Sequence, residues 1–173
     1  MDFRKGTEAD LDAVNSLYWE VTGWLQRTVN YPGWEQGAYP ARRDAEAGIR
    51  SGTLYVAEMQ GKTAGTMILD HTPEPAFADA KWQVPAPDAQ VFILRTFAVH
   101  PAFQKAGLGR QMLACAEKLA QAQSVRAIRL DVSDKNLPAV RLYKACGYRY
   151  IGDADLGLGA YGLTNFLLYE KGL

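Results

Sequence analysis

Apolar residues recur along this chain with two periods, and the switches between them mark its elements. Phe3 to Thr7 reads as a short first strand. From about Glu8 to Val21 the pattern turns helical, with Leu11, Val14, Leu17, Tyr18 and Val21 on one face. Thr7 to Asp10 approximates a capping box, with Asp10 where Glu or Gln is usual. No period holds from Trp24 to Tyr39. There Trp24, Tyr31, Trp34 and Tyr39 are interspersed with Pro32, Gly33 and Gly37, and Pro40 follows, which predicts an ordered aromatic loop. A second helix is predicted over about Ala41–Arg50, with Gly52 as its stop.

Thr53 to Met59 reads as a strand, Gln60-Gly61 as a turn, and Thr63 to Leu69 as the hairpin partner. Thr72 to Gln90 holds Pro73, Pro75, Pro85 and Pro87 and is predicted to run over the surface. Val91 to Val99 is a strongly apolar strand interrupted by Arg95 and Thr96. A helix follows over Leu108 to about Gln123, with Leu108, Met112, Cys115, Ala116 and Leu119 inward. Ala127 to Val132 is a strand. Asn136 can cap a helix that runs to Cys146 and stops at Gly147. Tyr148–Gly152 and Thr164–Glu170 close the pattern, joined by a Gly-rich loop. The order β-α-α-β-β-β-α-β-α-β-β predicts an α/β fold with a mixed sheet. The strands on either side of the Leu108 helix should be parallel.

Composition narrows the class. With 173 residues, 48% hydrophobic and 22% charged, the chain is expected to form one domain over residues 1–173 with a sizeable core. Nineteen Lys+Arg balance nineteen Asp+Glu, so no net field attracts nucleic acid or an anionic membrane. Cys115 and Cys146 are too few for a disulfide framework and are expected to be buried thiols, which suits a reducing cytoplasm. The N-terminus carries no signal-like apolar stretch, and no run approaches the roughly 20 residues of a membrane span. His71 and His100 have no partners at metal-ligand spacing, so no metal is expected.

The candidate chemistry lies at the end of the Val91–Val99 strand. His100-Pro101-Ala102-Phe103 leads into Gln104-Lys105-Ala106-Gly107-Leu108-Gly109-Arg110, and a helix begins at once. Backbone N–H groups at a helix start point outward, and the helix dipole favours an anion there. Glycine lets a phosphate approach without meeting a Cβ. A Walker A loop would need Lys-Ser/Thr after Gly109, where Arg110-Gln111 stand. The dinucleotide fingerprint would need glycine at Met112, although Asp131 lies about where a ribose-binding acid would sit. A glycine-rich helix start without a ligand is the bland alternative.

Phe97-Ala98-Val99-His100-Pro101, with Gln104 to Gly109, resembles the acetyl-CoA motif of the GNAT N-acetyltransferase superfamily. The segment Asp134 to Tyr148, with Asn136, Ala139, Leu142-Tyr143 and Gly147, is similar to that family's second motif. The resemblance covers nearly the whole chain except about Trp24–Arg50 and Thr72–Gln90. It implies a GNAT-like fold: a mixed six- to seven-stranded sheet flanked by about four helices and splayed between the fourth and fifth strands. It implies acetyl-CoA as co-substrate, with the pantetheine arm along Phe97, Ala98 and Val99. The pyrophosphate would lie on the N–H groups of Gln104, Lys105, Ala106, Gly107, Leu108, Gly109 and Arg110. Asn136 would bind the pantetheine or its acetyl-bearing end. Tyr143 would stand at the sulfur as general acid. The reaction implied is direct transfer to a primary amine of a small molecule or peptide, through an oxyanion stabilised near Val99. The protein would be a monomer or homodimer. The acceptor wall would include Trp24, Tyr31, Trp34 and Tyr39 and the loop Asp153–Gly162, although packing of that loop explains the aromatics equally well. Arg95 shares a face with Phe97 and Val99 and can meet a substrate carboxylate. Glu58, Asp70, His71 and His100 are candidate bases, each read first as surface groups. A non-catalytic acyl-CoA-binding or regulatory module of the same fold is the alternative, against which Asn136 and Tyr143 both stand.

Overall fold

A computed structural model describes residues 1–173. Seven strands and four helices follow in the predicted order: β1 (Asp2–Lys5), α1 (Leu11–Arg27), α2 (Arg42–Ser51), β2 (Leu54–Met59), β3 (Lys62–Asp70), β4 (Val91–Val99), α3 (Leu108–Ala122), β5 (Ala127–Ser133), α4 (Leu137–Ala145), β6 (Arg149–Ala154) and β7 (Phe166–Gly172). They build one mixed sheet in the order β1-β2-β3-β4-β5-β7-β6. The parallel pairing of β4 with β5 covers Val91–Ile93 against Ala127–Arg129, while β4 runs on to Val99 and β5 to Ser133. No helix is long and apolar enough to cross a membrane.

The chain divides into two compact units. The first comprises Met1–Asn30, Trp34–Leu69 and Arg95–Met112. Its core joins Val14 and Tyr18 of α1 and Ala45 of α2 to Leu54, Val56, Ile68 and Ala98 of the strands. Asp10 ties the N-terminal strand to α1. Its carboxylate accepts two bonds from Arg4, at 2.8 Å each, and two from the Thr7 amide and hydroxyl. The loose capping box thus closes through the shorter Asp. Gly65 of β3 permits a close approach: a Cβ there would lie 2.6 Å from Met112 Sδ and 2.9 Å from the Ala98 carbonyl.

The second unit comprises Tyr31–Gly33, Asp70–Leu94 and Leu113–Leu173. Its core gathers Phe77, Val91, Ile93, Ala127 and Leu168, covered by Trp82 and Val84 of the proline-rich segment. Glu170 of β7 and Arg129 of β5, both nearly fully buried, pair at 3.0 Å. Glu170 also accepts the amides of Gln83 (2.8 Å) and Val84 (3.1 Å). Arg129 donates to the Val84 carbonyl (2.8 Å) and stacks over Trp82 at 4.5 Å. The surface excursion is therefore pinned to the sheet by charge-assisted bonds.

Two expectations need correction. Trp24 belongs to α1, which runs to Arg27 rather than ending near Val21. Gly23 lies inside the helix: a Cβ there would lie 2.8 Å from the Gln36 amide nitrogen, which itself bonds the Trp19 carbonyl (2.9 Å). Cys115 and Cys146 are free but only partly buried. Cys146 is the C-cap of α4 rather than a residue within the helix.

Candidate active site

In the first unit β4 carries Arg95, Phe97 and Val99 half-buried, alternating with buried Thr96 and Ala98. Thr96 stands at φ 49, the left-handed region, so the strand kinks just before Phe97. After Val99, Pro101–Phe103 form one turn of 3-10 helix. His100 caps that turn: its Nδ1 accepts the Ala102 amide (3.1 Å), so its Nε2 carries the proton and donates to Glu20 (2.7 Å). This candidate base therefore has both ring nitrogens engaged.

Gln104 belongs to the turn as well. Its amide donates to the Pro101 carbonyl (3.3 Å) and its side chain to the Val99 carbonyl (3.2 Å). The amides from Lys105 to Arg110 donate to no carbonyl of the chain, and Gln111 is the first to do so, to Gly107 at 3.1 Å. Lys105 at φ 62 and Gly107 at φ 79 turn the backbone into α3. Open space surrounds Gly107 where a Cβ would stand. A run of outward amides at the positive end of a helix fits a phosphate.

Other candidates of this unit fall in two groups. Trp24 and Trp34 pack against Leu17, Val21 and Leu25 of α1, so much of their surface serves the core. Tyr39 is 41% exposed and lies edge-on to Trp34 at 6.0 Å. Glu58 lies 3.6 Å from Arg4.

In the second unit Asn136 caps α4. Its Oδ1 accepts the Ala139 amide (3.4 Å), leaving the Nδ2 donors outside the cap. Tyr143, one face further along α4, is 6% exposed. Its ring lies 5.7 Å from that of Tyr148 and 6.4 Å from that of Tyr169. Burial pushes its phenol well above the usual range, with Asp131 and Cys146 adding to the effect. Tyr143 is therefore a neutral phenol at physiological pH. Asp131, weighed on the sequence only as a ribose-binding acid of a dinucleotide fold, is the one acid in the Ala127–Val132 run. Lys135 anchors the Gly-rich loop by donating to the Gly162 carbonyl (2.7 Å). Tyr31 is half-buried. His71 donates from Nδ1 to the Val91 carbonyl (2.7 Å), and Asp70 accepts the Thr72 amide (2.8 Å).

A strand that kinks, leads into a run of amides without backbone acceptors, and is followed in the chain by an Asn-capped helix bearing a buried tyrosine defines a class. The profile of the Acetyltransferase (GNAT) family matches residues 12–148. The chain belongs to that family. No curated protein matches it in sequence. Solved structures share its fold. A GNAT-family acetyltransferase from Streptococcus agalactiae is 20% identical, with a TM-score of 0.82 over 99% of this chain and 95% of that one. Another from Listeria monocytogenes is 26% identical, with a TM-score of 0.75 over 99% and 94%. YncA from Salmonella typhimurium, solved with its cofactor acetyl-CoA, is 16% identical, with a TM-score of 0.72 over 100% and 94%.

Proposed function

We propose that this protein is an acetyl-CoA-dependent N-acetyltransferase acting on a primary amine of a small molecule or peptide. One observation carries the reading: β4 kinks at Thr96 and leads into outward amides from Lys105 to Arg110 at the start of α3. Acetyl-CoA supplies an acetyl group already activated as a thioester. The amides from Lys105 onward hold its pyrophosphate, with Lys105 and Arg110 adding charge. The backbone of Phe97 and Val99 pairs with the pantetheine arm. In the second unit, Asn136 keeps its Nδ2 group outside the α4 cap and would offer it to an acyl-CoA, the role its motif implies. Tyr143, which burial keeps protonated, would give its proton to the departing thiolate; the raised pKa holds the proton in place and does not make the phenol a stronger acid. The amine attacks the thioester carbonyl directly, without an acyl-enzyme.

The test is release of free CoA from acetyl-CoA in the presence of a panel of amines: polyamines, aminoglycosides, amino acids and peptides. Amine-dependent release with acetylated product supports the reading. Acetyl-CoA binding with no turnover on any amine would favour the non-catalytic module instead.

A further inference from the structure

Thr96 occupies a backbone conformation that β-branched residues rarely adopt, φ 49 in the middle of a strand. It is also 6% exposed, and a buried hydroxyl needs a partner. That partner comes from far away in the chain: the Tyr39 phenol shares a hydrogen bond of 2.7 Å with Thr96 Oγ1. Tyr39 is itself held in place. Its amide donates to the Glu35 carbonyl (2.9 Å), and its carbonyl accepts the Glu35 amide (3.1 Å). Gly37, at φ 78, closes the turn between them. Trp34, edge-on to the Tyr39 ring, packs into the core beside Val14 and Leu54. Asn30 brackets Trp34 with bonds to its carbonyl (2.8 Å) and amide (3.1 Å). The aromatic segment thus ends in a fixed hydroxyl aimed at the kink of β4.

We propose that Tyr39 is a positioning residue for the cofactor: through Thr96 it holds β4 in the kinked form that the pantetheine arm requires. The inference rests on the acetyl-CoA reading above. The kink lies directly before Phe97 and Val99, whose backbone groups are assigned to the arm. A strand that loses such an irregularity turns its following residues to the other face. Without the Tyr39 bond, Thr96 relaxes toward negative φ. The fraction of molecules with Phe97 and Val99 correctly presented falls, and apparent affinity falls with it.

Four proteins test this by calorimetry with acetyl-CoA and no acceptor: wild type, Tyr39→Phe, Thr96→Gly and the double variant. Tyr39→Phe keeps the ring and its packing on Trp34. It should weaken acetyl-CoA by about three- to tenfold, the net worth of one hydrogen bond. Glycine takes positive φ unaided. In the Thr96→Gly background, Tyr39→Phe should therefore change affinity by less than about twofold. A loss confined to the Thr96 background supports the clamp. Unchanged affinity in Tyr39→Phe, or an equal loss in both backgrounds, overturns it. A wild-type chain that takes up no acetyl-CoA overturns the cofactor reading itself. A second readout needs no cofactor. In labelled, unliganded protein, the Cα shift and HN–Hα coupling of Thr96 should move toward extended values in Tyr39→Phe, and no movement overturns the clamp.

Discussion

Replacing Glu170 by Gln puts the buried pair of the second unit under direct test. The carboxylate is 2% exposed at its side chain and is bonded on both oxygens: Oε1 takes the Arg129 guanidinium, and Oε2 takes the amides of Gln83 and Val84. A glutamine has only one oxygen. Whichever way it turns, its NH2 group faces a donor, either Arg129 or the two amides. Arg129, 8% exposed at its side chain, also keeps a charge with no counterion. Removing one partner of a buried pair costs about 3–5 kcal/mol. For a chain of this length each kcal/mol moves Tm by about 2–4 °C, so the variant should melt roughly 6–20 °C early. Scanning calorimetry at neutral pH measures it. The double variant Arg129→Met, Glu170→Leu should recover much of that loss, because it leaves no orphan charge and the Gln83 amide lies at an exposed position open to water. A Glu170→Gln protein melting within about 2 °C of wild type would refute the reasoning. So would a double variant less stable than the single one.

Other consequences are as concrete. Tyr143→Phe should lower kcat by about 10²–10³-fold and leave acetyl-CoA affinity within a few fold. Steady-state kinetics with a reactive amine, with chemistry shown to limit the rate, checks it. Stability should form a plateau with two edges, followed by urea unfolding across pH. Bonding from Arg4, with help from Thr7, holds the Asp10 carboxyl below its usual range, so its contribution is full above about pH 4 and is lost as pH falls further. Burial holds the phenols of Tyr18, Tyr143 and Tyr148 above theirs, so theirs is full below about pH 10 and is lost as pH rises beyond.

Periodicity alone yielded the element order, because each amphipathic face is set by local spacing. Val91–Val99 of β4 and the Gly52 stop of α2, at φ 68, lie where the pattern puts them. The end of α1 was illegible because the apolar period lapses after Val21, while in space Gly23 admits the Gln36 side chain and the helix runs on to Arg27. Features with a local signature were readable: the glycine turn into α3, with Gly107 at φ 79, and the Asn136 cap of the helix that carries Tyr143. Those defined by long-range pairing were not. Nothing near Tyr39 announces Thr96, and nothing near Glu170 announces Gln83 or Trp82, because these bonds exist only once the chain has folded. Asp131 suggests only a ribose-binding acid in sequence, and its effect on the Tyr143 phenol exists only in the folded chain.

Calorimetric titration of acetyl-CoA into wild type and into Gly109→Val tests the central claim most directly. Gly109 lies in the first turn of α3, where valine is at least as good a helix former as glycine, so the fold should survive. Gly107 is a poorer choice, since its φ of 79 would strain any side chain regardless of ligand. On the cofactor reading, a branched side chain at 109 would obstruct the close approach of a phosphate to the amides at the start of α3. The account predicts saturable binding of acetyl-CoA to wild type and none to Gly109→Val at matched Tm. Equal affinity in the two proteins would contradict it.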